Sequence, residues 1–121
     1  ALLQGDLPTD RGSIDLPIAK DWPNRPLQKI CFETGKPSVT RYRVLTRFGD
    51  RTRVEFEPVT GRSHQLRIHA AHDLGLASPI VGDPLYGDVS SGPRLMLHAT
   101  RIELIDPSSD RRITVESEAP F

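Results

Sequence analysis

The chain has 121 residues, enough for one domain with a usable core, and its 16 basic and 16 acidic residues cancel. Zero net charge argues against a nucleic-acid binder that works through bulk positive charge, because such domains usually carry a strong basic excess. No apolar run approaches the roughly 20 residues that a bilayer crossing demands, and 36% hydrophobic with 26% charged residues is ordinary soluble-protein composition.

The start of the chain lacks the pattern of a secretory signal, so the expected location is the cytoplasm, without a membrane partner. The single cysteine, Cys31, excludes an internal disulfide; between Ile30 and Phe32 it reads as a buried structural thiol. Thirteen of the sixteen basic residues are Arg and only Lys20, Lys29 and Lys36 are Lys. Arg offers a planar fork for phosphate or carboxylate, although GC-rich coding would give the same bias.

In chain order, Ala1 to Gly5 opens as if inside a strand rather than at a frayed terminus, a first hint that the chain is truncated. A loop over Gly5 to Gly12 leads to a strand at Ser13–Ile18, then an irregular stretch at Asp21–Pro26 with two prolines. Lys29–Phe32 is a short extended segment. Val39–Phe48 and Thr52–Val59 alternate apolar and polar residues around a Gly49-Asp50 turn and predict an antiparallel hairpin, with Val54 and Phe56 inward.

After Pro58 the period changes. Ser63, Leu66, Ala70, Ala71 and Leu74 follow helical spacing, Ser63 is a candidate cap and Gly75 a stop, which predicts a helix from about 63 to 72. Pro79–Val81 reads as a short strand and Gly82–Ser91 as a loop. Leu95–Ile105 pairs with Arg112–Ser117 around a turn at Asp106–Asp110. The expected class is α+β, a single partial domain over residues 1–121 with a mixed, mainly antiparallel sheet and one main helix.

Gly61 to His69, reading GRSHQLRIH, places two arginines, two histidines and a glutamine at the mouth of that helix. Arg62 and Ser63 beside free N–H groups suit an anion such as an RNA phosphate; the alternative is a solvated Arg62 and a Ser63 that only caps. Arg67 sits between Leu66 and Ile68, so its guanidinium is expected to be partly buried and to need a carboxylate, from this chain or elsewhere. His64, His69 and His72 do not make a zinc set, because a five-residue step turns a helix through about 140° and points His64 away from His69. Asp83, Tyr86 and Asp88 lie in a Gly-flanked loop where Asp serves either turn chemistry or acid–base work.

Three blocks then carry a family resemblance: PVTGRSHQLRIH at Pro58–His69, PIVGDPLYG at Pro79–Gly87 and RLMLHA at Arg94–Ala99. In this order and spacing they resemble the RluA-type pseudouridine synthases. DWPNRP at Asp21–Pro26 with ETGKP at Glu33–Pro37 is similar to the member that modifies both a transfer RNA anticodon stem-loop and a 23S ribosomal RNA hairpin.

The resemblance implies cofactor-free isomerisation of uridine, in which an Asp attacks, the glycosidic bond breaks, the base rotates and a carbon–carbon bond forms. It implies that Arg67 ion-pairs with the nucleophilic Asp, that Leu95 or Leu97 lines the uracil pocket, and that Arg62, Ser63, His64 and Gln65 face RNA. The family's HRLD-type nucleophile motif and KxY segment do not occur in these 121 residues. The chain alone is therefore expected to be inactive, to leave Arg67 solvated or mispaired, and to self-associate through exposed sheet. The competing expectation is an RNA-binding module that keeps the fold without catalysis.

Overall fold

In a computed structural model that describes all of residues 1–121, the chain forms eight strands and one α-helix. β5 (Val39–Arg47) and β6 (Arg51–Pro58) are the longest strands and form the hairpin that the alternation predicts. Gly49 takes φ 88° in the turn, a conformation that a side chain would strain. Apolar Leu45 does not face the core, because the register skips between Val44 and Thr46 and leaves Leu45 unpaired and exposed.

β1 (Leu2–Gln4) and β2 (Arg11–Asp15) flank that hairpin, giving a four-stranded antiparallel sheet in the order β1-β6-β5-β2. β3 (Ile18–Lys20) and β4 (Gln28–Ile30) form a separate small ribbon. The predicted strand Ser13–Ile18 breaks in two because Pro17 has no N–H for a ladder. The irregular stretch that follows holds one 3₁₀ turn, Trp22–Asn24. Cys31 is half-exposed rather than buried, its Sγ 3.2 Å from the Thr34 hydroxyl.

α1 (Gln65–Ala71) packs on the inner face of the sheet, within the predicted span and shorter than it. Leu3, Leu7, Val54, Ala70 and Ile80 form the core, with Tyr42, Val44, Phe56 and Leu95–Leu97 closing around it. His69, fully buried, fixes the helix to the sheet: its Nε2–H donates to the Leu16 carbonyl at 2.9 Å, and its Nδ1 therefore accepts from the Thr40 hydroxyl at 2.8 Å. Burial pushes its pKa below the ordinary 6.5.

The end of the chain differs from the predicted long strand. Only Arg101–Ile105 (β7) pairs with Arg112–Glu116 (β8), and every residue of both strands is exposed. Leu95–Leu97 instead runs against the core, with the Met96 amide donating to the Val81 carbonyl and the Met96 carbonyl accepting from Leu2. All pairings in the sheet and ribbons are antiparallel.

Candidate functional site

The helix entrance is built around Gln65. Its Oε1 accepts from the Arg62 amide at 3.0 Å and the Thr60 hydroxyl at 2.7 Å, and its Nε2 donates to the Val39 carbonyl and the Thr40 hydroxyl oxygen. All four hydrogen-bonding positions of the amide are satisfied inside the protein, so Gln65 does not face RNA; it splices the helix start to β5. The Gln65-to-Arg62 bond ties the first residue of the helix back to the chain that leads into it. Ser63 does not cap: His64, at φ 54°, is the capping position and no side chain bonds the entrance amides there. Arg62 and Ser63 are exposed, Arg62 donating to the Pro37 carbonyl.

One turn on, Arg67 makes the closest charge pair of the molecule. Its Nε and Nη2 bind the two oxygens of Asp83 at 3.0 and 2.6 Å, in the two-pronged geometry that suits guanidinium to carboxylate. The Asp83 side chain is completely buried and that of Arg67 is 15% exposed. Asp83 Oδ1 also accepts from the amides of Leu85 and Tyr86. Burial by itself would raise the Asp83 carboxyl, but the Arg67 fork and these amides outweigh it and hold its pKa below the usual range. The same bond to Asp83 raises the Arg67 pKa. Of the two outcomes expected for Arg67 in this chain, solvated or mispaired, the structure shows the second: one edge of its guanidinium is held by Asp83, a carboxylate of this chain from the loop 16 positions along.

Tyr86 lies against the same guanidinium, its ring 5.4 Å from the Arg67 carbon. The Tyr86 oxygen accepts from the Gln28 amide at 2.8 Å and is 2.8 Å from His64 Nδ1. With the amide donating, the phenol keeps its own proton to give, and His64 Nδ1 meets it as an acceptor in the neutral tautomer that lacks a proton there. Burial, then the charge of Arg67, lowers the His64 pKa in the same sense. The three histidines go to three places: His64 to Tyr86, His69 to Thr40, and His72 to the amide of Leu74. Asp88 accepts from Ser90 in a 3₁₀ turn, which is turn chemistry.

Sequence reasoning names Asp83 and Tyr86 as turn or acid–base candidates and misses that they are the neighbours of Arg67. The signal is there: a buried Arg demands a carboxylate, and the Gly-flanked GDPLYG loop offers one. Gly82 holds that loop against the next segment. It has φ 78°, and a Cβ there would sit 1.8 Å from the Arg94 carbonyl oxygen. Leu95 and Leu97, half-buried on the core, leave from that crossing, and Arg94 donates to both of their carbonyls.

The model of the RNA pseudouridylate synthase family matches residues 2–72. The dual-specificity RNA pseudouridine synthase RluA of Pasteurella multocida is 44% identical over a 125-residue alignment, covering 100% of this chain and 56% of the relative. Its namesake from Escherichia coli K12 is 46% identical over 114 residues, covering 91% of this chain and 51% of the relative. The solved structure of human RNA Pseudouridylate Synthase Domain Containing 4 superimposes with a TM-score of 0.75 at 23% identity, over 99% of this chain and 56% of that one, a likeness of fold. The chain spans about half the length of the curated relatives it matches.

Proposed function

This chain belongs to the RNA pseudouridylate synthase family, and from that premise we propose that it is the arginine-bearing part of a cytoplasmic enzyme that isomerises uridine to pseudouridine in RNA. The observation that carries the reading is the half-used guanidinium of Arg67. Asp83 takes two of its five N–H groups and fixes its plane, while the remaining edge stays able to hold a second carboxylate. That second carboxylate is the nucleophilic Asp, supplied by a segment outside these 121 residues. Arg67 keeps it ionised and aimed, and Asp83 keeps Arg67 from turning.

The chemistry needs no cofactor. The Asp carboxylate attacks C1′ as the bond from C1′ to N1 breaks, the freed base turns, and C5 then attacks C1′ and expels the Asp carboxylate, after which the C5 hydrogen leaves as a proton. Leu95 or Leu97 walls the uracil, and Arg62 and Ser63 at the exposed helix entrance meet the backbone. The substrates are a transfer RNA anticodon stem-loop and a 23S ribosomal RNA hairpin, a reading supported by the DWPNRP and ETGKP stretches and by the dual-specificity names of the relatives.

The test uses the full-length protein and an RNA hairpin whose uridines carry tritium at C5. Wild-type protein releases the label, Arg67→Lys loses at least about 100-fold in turnover because one ammonium cannot grip two carboxylates, and residues 1–121 alone release none. Undiminished release by Arg67→Lys would remove Arg67 from the mechanism. RNA binding by the full-length protein without any release favours the non-catalytic binding module.

A further inference from the structure

An open groove of ≈ 670 Å³ lies between the β3–β4 ribbon and the helix entrance. Its walls hold all three lysines of the chain, Lys20, Lys29 and Lys36, together with Arg62 and the sole tryptophan, Trp22. No Asp or Glu is among the residues lining it. All four cations are exposed, and none is in an ion pair. A protein with zero net charge has therefore gathered four uncompensated positive charges on one concave surface. Asp21, beside Trp22 in sequence, is turned to Asn24 at 3.1 Å.

Trp22 is 61% exposed, so its indole contributes little to the core. Lys20 Nζ lies 4.4 Å and the Arg25 guanidinium carbon 5.5 Å from its ring, which keeps the indole upright among mobile cations. Cations that track a backbone beside an exposed aromatic face are the two elements of a single-strand nucleic-acid platform; an acidic peptide would use the charges and leave the indole idle.

We propose that this groove holds an unpaired stretch of RNA, with phosphates on Lys20, Lys29, Lys36 and Arg62 and one base stacked on Trp22. The inference rests on the RNA reading above and places the nucleotides that flank the reacting one. Gln28 lines the groove and its amide donates to the Tyr86 phenol, whose ring faces Arg67, so the groove opens one side chain away from the arginine. On arrival a base displaces the flexible Lys20 from the indole, and the freed ammonium turns to a phosphate.

The experiment titrates the full-length protein with a short hairpin RNA bearing an unpaired, uridine-containing loop, and with the same stem closed as a blunt duplex. The double variant Lys29→Glu, Lys36→Glu is expected to bind the hairpin at least about tenfold more weakly. Its log–log salt dependence should flatten by roughly 0.7 for each single-strand phosphate left without a cation. Trp22→Ala should weaken the loop by about 5- to 150-fold and the duplex far less, with Trp22→Phe keeping most of the affinity. Wild-type affinity and salt slope in the charge variant, an equal loss on loop and duplex in Trp22→Ala, or an acidic peptide bound as tightly as RNA would each overturn the proposal. The tritium assay separates the two readings: groove-dependent binding without label release sinks the synthase reading alone. Label release with both variants binding as wild type sinks the groove alone.

Discussion

The two antiparallel hairpins of this chain, β5–β6 and β7–β8, are built by the same rule and end in opposite states. In the first, Val54 on β6 is 1% exposed, under α1, β1 and Ile80. In the second, Ile102 faces Val115 and Leu104 faces Ile113 on one side of the ribbon, and the four remain 41% to 54% exposed. The other face carries Arg101, Glu103, Arg112, Thr114 and Glu116, with Ile105 as its one apolar residue, so the ribbon is largely amphipathic with nothing over its apolar side. Alternation in a sequence says that a face wants cover; it does not say which element provides it. A two-stranded ribbon is marginal without such cover.

The largest effect expected of the contrast is electrostatic and belongs to the packed body. Arg67→Met leaves the fully buried Asp83 carboxylate without its cation and should cost about 3–5 kcal/mol in urea unfolding. On the ribbon, Arg112→Met breaks a 3.8 Å pair with Glu103 between exposed groups and should be silent. Comparable losses would mean that the ribbon is covered.

Truncating leucines sharpens the same comparison. Leu3→Ala empties a fully buried site and should cost about 2–5 kcal/mol. Leu104→Ala, at a position 48% exposed, should stay within about 0.5 kcal/mol. A large loss at Leu104 in the full-length protein, beside a small one in this chain, would identify the ribbon face as an interface.

The smallest effect is in pH. Folding keeps His69 neutral, with His64 shifted the same way, so below about pH 6.5 the unfolded chain binds protons that the folded chain refuses. Stability is full above that pH and falls as pH drops toward the folded pKa values. Thermal melts should show a decline as pH falls below about 6.5, shallower in His69→Gln. Asp83, shifted down, contributes in a separate and more acid window. An unchanged slope in His69→Gln would move the acid sensitivity elsewhere.

Much of the body is legible in the sequence because its periodicity is unambiguous. The β5–β6 turn falls at Gly49-Asp50, and the helix lies inside its expected bounds. Partners are harder to read than elements. The alternation from Leu95 to Ile105 looks like one strand, yet Leu95–Leu97 packs on the core and only Arg101–Ile105 finds a ladder. Gln65 has the chemistry of an RNA contact, but four internal bonds consume it. The family resemblance points Arg67 at a carboxylate outside the chain, and the glycines around Asp83 suggest a plain turn, yet the two bind each other. Residue type reports what a side chain is able to bond, and only the fold decides which partner arrives first.

Gly82 gives the loop around Asp83 an unusual mutational character. The Arg94 carbonyl occupies the space in which any other residue would put its first carbon, and the backbone there is left-handed as well. A saturation library at this codon should return glycine alone, since even alanine must push away the segment that carries Leu95 and Leu97. The spacing between the leucine segment and the arginine's carboxylate anchor is thus set by a missing methyl group.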